Sequence, residues 1–237
     1  MVDHALDRLT IATYNIHRGI GTDGSVSQEK IVKVLHEIDA DIVALQELEA
    51  NRDPALNMLN YLSDQTGLVP VAGPILMMQD TLYGNALLSR LPKFMVKRLD
   101  LSIPGHEPRD ALDLDIDWNG NKLHLVATHL GLRPGERRQQ VKRLLQLFRT
   151  DKTDLAVLMG DINEWFLWGR PLRRLHRKFS ATPSLRTFPS CWPLFALDRI
   201  WVRPHENLID IRVHESEIAR TASDHLPLKA VIEMKSK

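Results

Sequence analysis

The chain predicts an α/β protein built as a four-layer α/β/β/α sandwich, with two mostly antiparallel sheets packed face to face and helices outside. Three observations carry this prediction. Apolar β-rich runs alternate with amphipathic segments at both ends of the chain, in the order β-α-β-α and, later, α-β-α-β-β-β. Between residues 68 and 128 the helical period stops and strand patterns follow one another, with Asn119-Gly120 as a two-residue hairpin signal. The hairpins among those strands do not fit a doubly wound parallel sheet. With no repeat and no linker, residues 1–237 read as a single domain.

Residues 9–16 (LTIATYNI) open the domain as a strand. After a glycine-rich turn, Ser27 caps a helix over QEKIVKVLHEID, where Ile31, Leu35 and Ile38 share one face. DIVALQELE is a second buried strand running into acids. DPALNMLNYLSDQTG predicts a helix with Pro54 in its first turn and Gly67 just past its end. The strand candidates that follow are VPVAGPIL, GNALLSR, FMVKRLDLSI, ALDLDIDW and KLHLVATHL. PGERRQQVKRLLQLFRT is an amphipathic helix, with Val141, Leu144, Leu145 and Phe148 inward and its arginines outward. LAVLMG is a strand, GRPLRRLHRKF a short basic helix, and ALDRIWV, NLIDIRVH and PLKAVIEM close the domain as strands.

Composition narrows the function classes. Lys plus Arg is 31 against 30 for Asp plus Glu, so net charge gives no push toward nucleic acid or anionic surfaces, and any steering must be local. Cys191 is the single cysteine, which rules out an internal disulfide and suits a reducing compartment. The N-terminal residues include acids and lack an apolar core, and no apolar run reaches the ~18 residues of a membrane span. The expected location is cytoplasmic, with no transmembrane segment. Oligomeric state is not legible.

Polar residues recur where apolar strands end. Asn15 stands in TYNIHRG, Glu47 in ALQELE, His129 in VATHLG, Asp161 and Asn163 in MGDIN, Asp198 in ALDRIWV, and Asp224 with His225 in TASDHLPL. Any one of them is readable as a turn former or a strand end. Together they bring carboxylates, amides and imidazoles to one rim of a sandwich. Uncompensated carboxylates are costly to bury, so such a cluster should hold a cation or charged histidine. Oxygen donors with no second cysteine and no His-x-x-x-His spacing favour Mg²⁺ (or Mn²⁺) over Zn²⁺.

In TYNI, LQE, THL, GDIN, LDRIWV and SDHLP, met in that order, the chain resembles the endonuclease/exonuclease/phosphatase (DNase I-like) superfamily, and within it the small bacterial stand-alone members. The resemblance implies a metal-dependent phosphoric ester hydrolase that cleaves a phosphodiester by in-line water attack. It places Glu47 and Asn15 at the metal, with Asp224 reaching it. Asp161 orients and deprotonates the attacking water, and Asn163 holds that water or a phosphorane oxygen. Asp198 and His225 form a carboxylate–imidazole pair, and His129 donates to a phosphate oxygen. Arg109, in GHEPRDAL, resembles an arginine that contacts phosphate, and Asn85, in YGNALLSR, matches a recurrent family segment and is expected to bind substrate or support the site. One departure stands out: Asn15-Ile16-His17 occupies the place where several abasic-site nucleases carry Asn-x-Asp.

For substrate, the sequence offers GRPLRRLHRK (169–178), with Arg173 and Arg174 among its cations, as a contact for a nucleic-acid backbone, a lipid surface or a polyphosphate headgroup. Trp165, Phe166 and Trp168 beside it, and Trp192 and Phe195 further on, are either an aromatic wall or part of the core. An endo- or exonuclease is the leading expectation, with a phospholipid or inositol-phosphate headgroup enzyme as the alternative. A non-catalytic phosphate-binding module would lack at least one of Glu47, Asp161, Asn163, Asp198 or His225, and all five are present.

Overall fold

The central strands read as unbroken apolar runs because each is buried on both faces. In the computed structural model, which describes residues 8–50, 57–72, 76–78, 81–92, 94–149 and 153–234, β1 (Arg8–Asn15) sends Leu9 and Ile11 into a core between two sheets. Ala12 and Tyr14 of the same strand point the other way, into a core under helices. β9 (Leu155–Asp161) does likewise, with Leu155, Val157 and Met159 between the sheets and Ala156 and Leu158 under the opposite helical layer. The period-2 alternation of a strand thus builds three apolar layers.

One sheet has seven strands in the order β11-β12-β1-β2-β5-β3, with β4 also paired to β5; the other has five, β10-β9-β8-β7-β6. Besides β1, the first contains β2 (Ile42–Ala50), β3 (Val69–Ala72), β4 (Leu76–Met78), β5 (Thr81–Ser89), β11 (Leu208–Val213) and β12 (Leu228–Glu233). Besides β9, the second contains β6 (Phe94–Asp100), β7 (Asp110–Trp118), β8 (Asn121–His129) and β10 (Asp198–Arg203). Pairing is antiparallel except for β1 with β2 and β8 with β9. Those two parallel pairs are the ones whose strands are joined by a long helix, α1 (Gln28–Ile38) and α3 (Pro134–Leu147).

The helices cover the outer faces as predicted. Ser27 Oγ accepts from Lys30 N to cap α1, whose Ile31, Val34, Leu35 and Ile38 are buried. α2 (Met58–Thr66) joins α1 on that face, and α4 (Arg170–Phe179) seats Leu172, Leu175 and Phe179 beside α3 on the other. A short α5 (Ala219–Ala222), not foreseen from sequence, precedes the last strand.

Three expectations need correction. α2 begins at Met58, because Asn57 accepts from Leu59 N and caps it there; Pro54 lies outside the described residues. Of the segment VPVAGPIL, residues 69–72 form β3 and Leu76 begins β4, both laid against β5; residues 73–75 lie outside the described residues. The arginines of α3 do not all face outward: Arg137 is only 1% exposed, held by Glu164 at 3.4 Å and by the Gly131 and Leu132 carbonyls.

Candidate active site

The polar strand ends are the last members of the inter-sheet columns. Asn15 follows Leu9 and Ile11 on one face of β1, Asp161 follows Val157 and Met159 on β9, and His129 follows Leu125 and Ala127 on β8. Asp198 begins the column that continues through Ile200 and Val202 on β10. Where the sandwich ends, apolar packing gives way to a cleft of about 510 Å³ whose lining includes Glu47, Arg109, His129, Asp161, Asn163, Asp224 and His225. Glu47 reaches it through a bulge: the β2–β5 register shifts between Leu45 and Leu48, and Glu47 takes a φ of 56°.

Two hydrogen-bonded groups meet across the gap between sheets. Asn15 Nδ2 donates to Glu47 Oε1 at 3.2 Å and to Asp161 Oδ2 at 3.1 Å, and Asn15 Oδ1 accepts from His17 N. His225 Nδ1 donates to Asp198 Oδ2 at 2.8 Å, and the Thr187 hydroxyl donates to the same oxygen at 2.5 Å. Asp161 Oδ1 accepts from Asn163 N at 2.8 Å, which folds the chain so that Asn163 stands at φ 53° beside His129. That backbone bond explains the Asp-x-Asn spacing: the carboxylate fixes the turn that presents the amide.

Charge and burial divide the two histidines. Burial alone would lower His225; the carboxylate of Asp198, with Asp161 and Asp224 behind it, outweighs burial and holds the imidazole up at about 10. His225 is therefore an imidazolium whose Nε2 faces Asp161 Oδ2 at 3.8 Å. Burial, the Arg109 charge and His225 together hold His129 well below the ordinary histidine range. Burial pushes Asp161 up to about 6 against the attraction of His225.

The neutral His129 ring is crowded by donors. Arg109 lies 3.3 Å from Nδ1, and Asn163 Nδ2, which donates to Leu130 O at 2.8 Å, lies 3.0 Å from Nε2. A neutral imidazole has one acceptor nitrogen, so it cannot accept from both. Guanidinium can only donate, which puts the proton on Nε2, facing Asp161 Oδ2 at 3.4 Å. The Nδ2–Nε2 approach then lacks a bond, and an anionic oxygen in the cleft would satisfy donors that now compete for one ring.

The other expected residues fall in different places. Arg109 is buried, paired to Glu107 at 2.8 Å, and lines the cleft. Asn85 does not line it; its amide donates to Asp110 Oδ1 at 2.6 Å, joining β5 to β7 across the sheets, and Arg98 pairs with the other Asp110 oxygen. Asp224 lies at the rim, 3.7 Å from His17 Nδ1. Arg173 and Arg174 line a separate hollow on α4. Sequence reasoning missed Thr187, Ser223, Glu107 and Arg18. Ser223, whose hydroxyl donates to Asn15 O at 2.8 Å, is flagged by its neighbour Asp224; Thr187 carries no local signal.

The donor set fits a hard divalent cation. Glu47, Asp161 and Asp224 present carboxylate oxygens to one cleft, and Asp198 Oδ1 is buried without a partner among the described residues. Asp161, Asp198 and His225 also come within 4.8 Å of one another at one ligand atom each. In that group the imidazole nitrogens already face carboxylates as an imidazolium, so the carboxylates of Glu47 and Asp224 are the better candidates for a metal.

Fold and site together define one class of protein: a sandwich of two sheets whose strand ends gather acids, amides and histidines in one cleft. Residues 12–225 match the model of the Endonuclease/Exonuclease/phosphatase family, and the chain belongs to that family. It is 28% identical to the uncharacterized protein YbhP of Escherichia coli (strain K12), over 94% of this chain and 96% of YbhP. The fold is shared with an endonuclease/exonuclease/phosphatase of Beutenbergia cavernae DSM 12333 (TM-score 0.76, 19% identity, 97% of this chain and 72% of that one). It is shared also with D. rerio TDP2 complexed with single strand DNA product (TM-score 0.66, 18% identity, 94% and 98%). Among the described residues, no helix is long and apolar enough to cross a membrane.

Proposed function

We propose that the protein is a Mg²⁺-dependent phosphodiesterase. The observation that carries this reading is the convergence of Asp161, Asn163, His129 and the Asp198–His225 pair on one cleft with Glu47 and Asn15 opposite. Mg²⁺, held by Glu47 and Asp224 with Asn15 positioning Glu47, would supply charge neutralisation for phosphate oxygens.

The chain's own groups do the rest. Asp161, tied by one oxygen to Asn163 N, offers the other, which also accepts from Asn15 Nδ2, to the attacking water and takes its proton. Asp198, itself held by the Thr187 hydroxyl, fixes His225 through Nδ1, leaving the Nε2 proton for a phosphate oxygen or the leaving group. Arg109 and Asn163, now crowded on His129, would turn to the phosphate oxygens, freeing the neutral His129 to donate from Nε2. The donors already line the cleft and need only local turns to reach the phosphate, so the rate gain is chiefly electrostatic preorganisation.

A nuclease is one form of this reading, supported by the DNA product bound to TDP2. The cleft walls give specific support to the second form, a headgroup phosphodiesterase, because Leu132, Trp165, Phe188 and Leu197 line it beside the polar groups. The test is hydrolysis of bis(p-nitrophenyl) phosphate and nicking of supercoiled plasmid, each with Mg²⁺ or EDTA. Cleavage that EDTA and Asp161→Asn both abolish supports the reading. Mg²⁺-dependent turnover that survives Asp161→Asn overturns the assignment of the base.

A further inference from the structure

Large apolar side chains stand in solvent beside the cleft. Phe166 and Leu167 are more than half exposed and Trp168 is 72% exposed. A slack loop would fold them back; this one is braced. Phe166 N donates to Glu164 Oε1 at 3.3 Å, Gly169 N donates to Phe166 O at 2.9 Å, and Glu164 is buried against Arg137. Gly169 backs so closely onto that carboxylate that a Cβ there would lie 2.4 Å from Glu164 Cδ. The turn therefore presents its apolar side chains outward.

Two further parts of the rim do the same. Leu132 is exposed at the cleft edge. Trp192 is 74% exposed and Leu194 half exposed, next to Phe195, whose ring packs 4.7 Å from Trp165. The mouth of the cleft is thus flanked by apolar side chains from three segments.

Cations adjoin this rim. Residues 165–178 contain no acid and five Arg or Lys. Because α4 anchors itself through Leu172, Leu175 and Phe179, Arg173, Arg174 and Arg177 are exposed. The bonds of Arg174 and Arg177 run to main-chain carbonyls, of Arg138 and Arg173. Phe166 and Trp168 line one hollow together with Arg138, Arg170 and Arg173. Among the described residues no carboxylate pairs with Arg173, Arg174 or Arg177, and apolar tips next to such guanidinium groups are the pattern that inserts into the headgroup–acyl boundary while binding lipid phosphate.

We propose that this face docks on an anionic phospholipid bilayer, with Phe166, Leu167 and Trp168 entering the interface and the α4 arginines on lipid phosphates, so that the cleft opens onto the membrane. Bases would stack on the aromatics but gain little from Leu132, Leu167 and Leu194, which is why the surface fits a bilayer better than a nucleic acid. Taken with the phosphodiesterase reading, on which this last clause rests, the substrate is a headgroup phosphodiester delivered from the membrane plane.

The experiment is co-sedimentation with sucrose-loaded vesicles of phosphatidylcholine, with or without phosphatidylglycerol, in EDTA so that no turnover contributes. Wild type should pellet with the anionic vesicles only, with a blue shift of tryptophan emission and release by salt. Phe166→Ser/Leu167→Ser/Trp168→Ser and, separately, Arg173→Gln/Arg174→Gln/Arg177→Gln should each lower the partition coefficient about tenfold or more, with unfolding midpoints equal to wild type. Wild type that stays in the supernatant overturns docking, as do two folded variants that pellet like wild type. Plasmid DNA that displaces the protein from vesicles, and whose binding needs the same arginines, transfers the surface to nucleic acid. Failure here leaves hydrolysis of a soluble diester untouched, and failure of hydrolysis leaves vesicle binding untouched.

Discussion

At the scale of single residues, Asp161 and Asp198 are both buried carboxylates with different partners. Asp161 keeps one oxygen on the Asn163 turn and the other facing the cleft. Asp161→Asn should lower kcat by about 10²–10⁴-fold, with the fold retained because asparagine can keep the Asn163 N bond; single-turnover kinetics beside a thermal melt checks both. In the proposed reaction Asp198 acts through His225, to which it is bonded. Asp198→Asn removes the charge that holds the imidazole protonated, so kcat should fall with little change in KM. A KM that rises while kcat holds would assign Asp198 to substrate binding. Most of these residues were legible as polar interruptions after apolar runs. Thr187 was not, because its bond to Asp198 is made by two segments that meet only after folding.

At the scale of elements, two close approaches set stability. Gly160 sits opposite Thr128 in the parallel β8–β9 pair at φ 140°, and a Cβ there would lie 1.8 Å from Thr128 O. Gly160→Ala should therefore cost about 3 kcal/mol or more, read as a lower denaturant midpoint, since both the backbone and the site must shift. The Arg137–Glu164 pair is different. Arg137→Met alone strands a buried carboxylate and should cost about 3–5 kcal/mol, whereas adding Glu164→Gln should recover part of it. No recovery in the double variant would mean that the lost carbonyl bonds of Arg137, not its charge, dominate. The strands and helices were readable by period, but this pair was not: a helix pattern assigns arginine to solvent, and only Glu164, far along the chain, draws it in. The same limit applies to Glu47, whose bulge is set by pairing with β5, and to the WFLW loop, where a core role and an exposed role have identical composition.

At the scale of the whole molecule, a cation bound only by the folded state stabilises it by mass action. Mg²⁺ at about 100 times its dissociation constant should add about 2.7 kcal/mol, seen as a higher unfolding midpoint than in EDTA. Glu47→Gln should shift that titration to higher Mg²⁺, and an unchanged midpoint-against-Mg²⁺ curve would remove Glu47 from the metal. The order of elements predicted the sandwich because hairpins and helical crossovers leave few other layer arrangements. Which strand ends share a rim was less accessible, since that depends on both sheets stopping at the same depth.

The two parallel pairs have a mechanical consequence. Asn15 and Glu47 belong to one sheet, His129, Asp161 and Asp198 to the other, and the bonds Asn15–Asp161 and His225–Asp198 bridge them. The jaws of the cleft are thus held apart by the thickness of the side chains between the sheets, Ile11, Ala44, Val157 and Met159 among them. That layer works as a calliper: adding or removing a methylene deep in it should reset the gap between Asn15 and Glu47 on one side and His129, Asp161 and Asp198 on the other. Under the proposed function, the spacing of the reacting groups is set by the apolar middle of the sandwich as well as by its polar rim.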